Sequence, residues 1–483
     1  MKLTDGTHGA ARATRRPVIT LVVLIALAVA ASLALAAPRR HARGFPARMP
    51  GDIPVIAALG SHADACDGCH TAHAQGATPQ PGLLMAPNDN QLCATCHDGQ
   101  WTSKSFPGLA HFTGSAHGAN PNVVWPGPDP PARMATDAGM CRNCHDPHGY
   151  NDLTGLIPRL TLQREEKLCV ACHDGAPAAS NVMSDFQKPY RHPTLDYSGR
   201  HAGAGENSPD AFGRTPTNQR HAECEDCHNP HTSRADGIGA PQGLDASATT
   251  LGVSRVAVTN SLAGTAPVYT FLPASDTTTA PIAEYQLCFK CHSGWTAAPA
   301  GQTDLAKVLN TWNPSFHPVE GAGANPGIPP LAFTPGWNAA SITRCSDCHG
   351  SDFGLTQGPH GSMYKGLLKA PYDATPSRRT MTSNELCFNC HSYDVYANPN
   401  APSSLATASR FNSPGAYVGH AKHVSEQNVP CADCHTTHGS TTLSNLLVTG
   451  RVPGINSYTR TTTGGSCAPT CHGSESYTVN YAR

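Results

Sequence analysis

The sequence predicts a mostly irregular fold of short α-helices and loops, with one small β-hairpin in residues 250–275, wrapped around a core that its own side chains do not supply. Three observations lead there. Across 483 residues the apolar types, cysteine included, reach only 39% and the aromatics 6%, while 45 glycines and 42 prolines interrupt any long helix or sheet. A chain of this length ordinarily builds two or three conventional cores, and this composition, taken alone, is closer to that of a disordered chain. The twenty cysteines resolve without remainder into ten pairs, each followed at once by a histidine. From Ser61 onward those pairs recur in a doubled pattern.

The stretch CRNCHDPH, Cys141 to His148, shows the unit. Two thiols three apart with a histidine directly behind the second make an attachment site for c-type haem. Each thiol can form a thioether to a porphyrin vinyl group, and the histidine, held by that tether, reaches the iron from the proximal side. The pairs are Cys66/Cys69, Cys93/Cys96, Cys141/Cys144, Cys169/Cys172, Cys224/Cys227, Cys288/Cys291, Cys345/Cys348, Cys387/Cys390, Cys431/Cys434 and Cys467/Cys471. Their proximal histidines are His70, His97, His145, His173, His228, His292, His349, His391, His435 and His472. The tenth motif has one extra residue between its cysteines. Zinc ribbons, redox dithiols or disulfides would not require a histidine after every second cysteine. Ten covalently attached haem c groups would supply the missing apolar area, so the fold is read as haem-cored. The chain is too short to bury each haem in a domain of its own, so the haems must be neighbours.

In chain order, residues 1–37 read as a signal peptide or an uncleaved membrane anchor: Arg12, Arg15 and Arg16 precede an apolar run from Val18 to Ala37 that ends in small residues. Residues 38–60 are a linker. Five two-haem modules follow, at 61–104, 105–185, 186–300, 301–400 and 401–483. Each has a first motif with a second histidine after it, a connector that is usually leucine-rich, and a second motif usually preceded by leucine. The third module carries an insertion, in which GVSRVAVTNS and PVYTFLP alternate apolar and polar residues on either side of a glycine-containing turn, the pattern of a hairpin. Single helical turns are expected at the motifs, and a modest helix near Thr303 to Leu309.

Whether the irons can be closed on their second face is a matter of counting histidines. Five follow the first motifs: His73, His148, His231, His360 and His438, the fourth displaced by a loop from Gly350. A histidine so close behind a proximal ligand cannot comfortably bind the same iron, so it is free to reach a neighbouring one. Upstream of the first motifs stand His62, His111, His192 and His317 as one candidate per module, with His420 and His423 as alternatives in the fifth. His117, His201 and His221 are surplus. Ten bis-histidine irons are therefore within reach, and no methionine recurs in the repeat to compete.

These residues resemble the multihaem cytochromes c with doubled C-x-x-C-H modules, related to the class III cytochromes of metal- and sulfur-respiring bacteria. The likeness rests on the first motifs of CxxCHxxH type, the LCxxCH second motifs, the PHG elements at His148 and His360, and SFHPV around His317. It implies an exported electron conduit, periplasmic, on the outer surface or extracellular, with haems in alternating stacked and perpendicular pairs. Redox proteins or extracellular acceptors are the implied partners, and a homo-polymer, an outer-membrane complex and inner-membrane anchoring stay open. The near balance of 33 basic and 34 acidic residues gives no support for nucleic-acid binding. No acid–base or nucleophilic constellation stands out, so the reading is an electron-transfer protein rather than an enzyme. Two alternatives remain: a multihaem reductase, which would need one open haem, and a subunit of an extracellular cytochrome filament.

Overall fold

Glycine and proline keep every element short, and the architecture follows from that. The computed structural model describes residues 66–70, 81–97, 108–120, 122–164, 166–196, 221–235, 243–277, 280–296, 301–354, 356–411 and 419–479. The chain divides into Met1–Ile56 and Ala57–Arg483, and all described residues belong to the second unit. The leader and linker expected over 1–60 therefore lie outside the described residues.

One-turn helices form at four first motifs, Cys66–Cys69, Cys224–Cys227, Cys345–Cys348 and Cys431–Cys434. The sequence writes the cap: Asp226 and Asp347 accept the backbone N–H of Glu223 and Arg344 at 2.8 and 2.7 Å, satisfying a donor that the helix start leaves open. The turn puts the two cysteines, three apart, on one face. It stops at the motif histidine, which is extended: His228 has φ −128° and ψ 128°. From there the histidine pairs with the connector, in the bridges His70 to Leu84, His145 to Thr161, His349 to Leu368 and His435 to Leu447.

The expected hairpin is present. Strands Arg255–Thr259 and Val268–Leu272 are antiparallel, with Val256 opposite Phe271. The helix expected near 303–309 spans Leu305–Leu309, with the Asp304 side chain capping it. A three-stranded antiparallel sheet of Ile455–Thr461, Gly464–Pro469 and Glu475–Thr478 was not expected from the sequence. Its signal was there, a Thr- and Tyr-bearing run ahead of Gly464-Gly465. It carries Cys467 in its central strand, so the tenth motif sits in a sheet where the others sit at helical turns.

Two further ribbons, each only two residues long per strand, join distant parts of the chain. Tyr190–Arg191 pairs with Gly361–Ser362, and Ser315–Phe316 pairs with Gly439–Ser440. Buried side chains gather in small clusters, such as Phe289, Ala306, Leu309 and Val319, or Met381, Phe388, Ala397 and Val424. Between them runs one continuous cavity of about 3890 Å³, lined by motif residues from Cys144 through His472.

Candidate metal centres

Among the described residues, nine of the ten motif histidines stand opposite another histidine. Numbering the motifs 1 to 10 along the chain, the ring centres stand 6.0 Å apart at site 1 (His70 and His148) and 6.3 Å at site 3 (His145 and His231). Site 4 pairs His173 with His117 at 6.1 Å, site 5 His228 with His360 at 6.2 Å, and site 6 His292 with His192 at 6.2 Å. Site 7 pairs His349 with His438 at 6.1 Å, and site 8 His391 with His317 at 6.4 Å. Site 9 pairs His435 with His420 at 6.1 Å, and site 10 His472 with His423 at 6.2 Å. A bond of about 2 Å from a metal to each imidazole nitrogen, and about 1 Å more to each ring centre, separates two axial rings by roughly 6.2 Å. Two imidazoles on opposite sides of one ion would show the spacing observed.

Hydrogen bonds fix which nitrogen is available. At the first motifs the proximal Nδ1 meets a backbone carbonyl: His70 that of Gly82, His145 of Arg159, His228 of Thr249, His349 of Gly366 and His435 of Asn445, at 2.7 to 3.0 Å. With Nδ1–H donated, Nε2 is the nitrogen left free to ligate a metal. Four of those acceptors have left-handed backbone, Gly82 at φ 72°, Arg159 at 59°, Gly366 at 80° and Asn445 at 58°, and each is followed by a leucine that is also left-handed. Such a conformation costs a non-glycine residue about 1 kcal/mol or more. Its recurrence in four connectors gives the leucine-rich segment a role that the sequence alone did not reveal: it turns a carbonyl back onto the proximal ring.

Three of the opposing histidines, all at second-motif sites, are oriented the same way. His117 donates to Pro230 O at 3.1 Å and His317 to Thr437 O, while His192 engages Pro359 O. Each acceptor immediately precedes one of the histidines that follow the first motifs. The two-stranded ribbons complete the clip, since His317 N donates to His438 O at 2.8 Å and His192 N to His360 O at 3.3 Å. One clip therefore presents the rings facing both sites of a single unit: His192 and His360 for sites 6 and 5, His317 and His438 for sites 8 and 7.

Burial holds the interior imidazoles neutral, the form that binds metal. It lowers His173, His360, His391 and His438 to about 4 and His420 to about 3, and it depresses His228, His317 and His435 as well. Burial pushes the Cys227 and Cys434 thiols up to about 12, away from the thiolate that drives disulfide exchange. The sites nearest solvent differ, with the His148 side chain 64% exposed and Cys471 and His472 exposed.

Successive sites are also linked through sulfur. The Cys93 thiol hydrogen-bonds that of Cys141, and the same contact joins Cys169 to Cys224, Cys288 to Cys345 and Cys387 to Cys431. The second motif of one unit thereby abuts the first motif of the next.

Cys96, the second attachment cysteine expected at site 2, is not part of the cavity wall, and neither are Cys66, Cys69 and Cys93. The helix Asn90–Ala94 that leads into Cys96 buries none of its residues. Cys96 itself is half-buried, its N–H donating to Cys93 O at 3.2 Å. It stands close to the first site, since burial and then the neighbouring Cys96 raise the Cys69 thiol. The thiol pair of site 2 therefore lies beside that of site 1.

Against the sequence reading, His148, His231, His360, His438, His192 and His317 each face a proximal histidine. In the second unit it is His117, taken as surplus, that faces His173, whereas His111 lies on the helix Leu109–Thr113 before it. The reason is the clip: Ala116 N donates to Ser233 O, which brings His117 to the ring. His420 and His423, left as alternatives, face different sites. His221 is buried, its Nε2 3.6 Å from Glu223 Oε1. His62, His73 and His201 lie outside the described residues.

Among the described residues no three or more His, Cys, Asp or Glu side chains surround a common point. A bare zinc ion would need about four protein ligands. Two opposed imidazoles, a thiol pair beside one of them and a cavity several times the volume of about 300–1,000 Å³ usual for one small ligand fit porphyrin-borne iron instead. Residues 61–101, 134–178 and 339–395 match a family described as Doubled CXXCH motif. These stretches support a multihaem c-type cytochrome. Cytochromes of this kind hold haem covalently and transfer electrons. Neither a curated protein nor a solved structure matches the chain.

Proposed function

We propose that this cytochrome carries ten covalently attached haems, each with two axial histidines, and passes electrons along them in sequence order, in periplasmic or extracellular respiratory electron transfer. The observation that carries the reading is the repeated opposition of a motif histidine and a second histidine at 6.0–6.4 Å. The repeat extends it to site 2, where Cys93 and Cys96 tether and the second-motif pattern assigns His62 to His97. Bound haem supplies the one-electron chemistry of its iron.

The chain's own residues do the rest. The cysteines tether, the connector carbonyls and clips aim the rings, and the second histidine of each unit reaches back to the first site of the unit before it: His148 to His70, His231 to His145, His360 to His228 and His438 to His349. Each unit is thus bolted to its predecessor, which keeps successive sites at fixed separation. Two histidines per iron favour low potentials and leave no position for a substrate. The exposed rims at sites 1 and 10 suit exchange with redox partners. Thioether attachment of this type is as a rule made on exported chains, which agrees with the positively charged, apolar leader.

Intact mass of the mature holoprotein and a reductive titration test this. The expected result is ten haems per chain and ten electrons taken up with all irons in mutual equilibrium. Fewer haems, or irons that stay oxidised while the rest are reduced, would overturn it.

A further inference from the structure

Site 5 depends on a histidine that the repeat has displaced. His148, His231 and His438 follow their motif histidines by three residues, but in the fourth unit the corresponding residue is His360, beyond a loop that starts at Gly350. A longer loop has more conformations to lose on ordering. The His360 ring also lacks the carbonyl partner that His117, His192 and His317 have, since its buried Nδ1 has no hydrogen-bond partner among the described residues. Something else must hold it opposite His228.

That holder comes from far away in sequence. Asp185, 1% exposed, sits in the last turn of the helix Val182–Phe186 and points its carboxylate into the loop. Ser351 Oγ donates to it at 2.8 Å, and Thr356 Oγ1 donates to the same oxygen. Lys188 Nζ lies 2.7 Å from the other carboxylate oxygen and 2.7 Å from Asp352, so the loop is gripped at three residues. A buried carboxylate holds such donors firmly, because leaving either side unpaired is costly. The backbone contact is equally close: a Cβ on Gly361 would come within 1.9 Å of Asp185 O. Phe186 meets the His360 ring edge-on at 6.1 Å.

We propose that Asp185 is the positioning residue for His360, so that a residue from the end of the second unit sets the axial ligand that the fourth unit gives to the third. This rests on the reading of His360 as that ligand. Losing the carboxylate frees the loop, and the ring then spends part of its time away from site 5.

Electron paramagnetic resonance of the oxidised holoprotein tests both statements. His360→Ala is expected to give a high-spin signal amounting to one iron in ten. Asp185→Ala, and separately Ser351→Ala with Thr356→Val, are expected to give the same signal at a fraction of that intensity, with ten haems retained by mass and low spin restored by added imidazole. If His360→Ala shows the signal and both other variants stay wholly low-spin, the positioning role is wrong. If His360→Ala itself shows none, the ligand reading falls and the proposal with it. Should Asp185→Ala fail to accumulate, the Ser351/Thr356 variant decides alone.

Discussion

First-motif and second-motif sites differ in how their imidazoles are turned. At sites 1, 3, 5, 7 and 9 the two ring planes lie within 12–23° of parallel. At sites 4, 6, 8 and 10 they are crossed by 36–80°. The hydrogen bonds explain the contrast. Every first-motif proximal ring is fixed by a backbone carbonyl, four times from the same left-handed turn, so its rotation repeats. Second-motif rings take whatever partner is near, Ser180 Oγ for His173 and Gly473 O for His472. On the proposed reading, parallel imidazoles would donate into one iron d orbital and split it from its twin, whereas crossed ones would treat the two alike. With irons bound, such a chain would alternate two electronic kinds of site while using one ligand type.

The largest effect should come from deleting attachment at an enclosed first-motif site. Cys345→Ala with Cys348→Ala is expected to cost about 5 kcal/mol or more, the margin of a typical domain, and to leave fewer than nine haems by mass. The same change at the open second-motif site, Cys467 and Cys471, should leave nine. Next come the glycines behind the ligands. A Cβ on Gly361 or Gly439 would strike Asp185 O or Val308 O at 1.9 or 1.8 Å, whereas one on Gly473 meets nothing within 4 Å. Alanine at either of the first two should lose about 3 kcal/mol in denaturant unfolding, and at Gly473 under about 0.5 kcal/mol.

A finer cut separates the two electronic classes. His438→Ala should remove intensity from the parallel-ring resonance class and His317→Ala from the crossed class, each producing one high-spin iron. Loss from the same class in both variants would break the comparison.

The smallest effect concerns Glu320, three residues beyond His317. Burial raises its carboxyl to about 7, and Asn260 donates to it at 2.6 Å. An acid whose folded pKa is raised contributes stability below its unfolded value near 4.5 and loses it as pH rises towards 7, because the unfolded chain releases the proton first. Glu320→Gln should therefore flatten the decline between those values and gain about 1–2 kcal/mol at pH 7 and above, read from unfolding at several pH values.

Much of this was legible in the sequence. The ten Cys–Cys–His motifs, the short helices at Cys224–Cys227 and Cys345–Cys348, and the hairpin around Arg255–Thr259 are local patterns, and the helices and the hairpin form where those patterns lie. Enclosure is not local: Cys96 reads in the sequence like Cys172 or Cys390, yet those two line the cavity and Cys96 does not. The ligand partners are not local either. His317 meets its clip 120 residues away at Thr437, and spacing alone pointed to His111 where the backbone pairing of Ala116 brings in His117. The connector leucines were visible as a repeat, but their role depends on φ values that Arg159 and Leu160 adopt against their own preference. Asp185 carried no motif at all, and only the fold sets it beside Ser351 and Thr356.

The central claim, that every iron has two histidines and that the sites alternate in ring orientation, is tested most directly by electron paramagnetic resonance of the fully oxidised holoprotein with spin quantitation. The account predicts ten low-spin irons divided about equally between a rhombic class from parallel rings and a highly anisotropic class from crossed rings. A native high-spin signal amounting to one iron or more, or a single low-spin class, would contradict it.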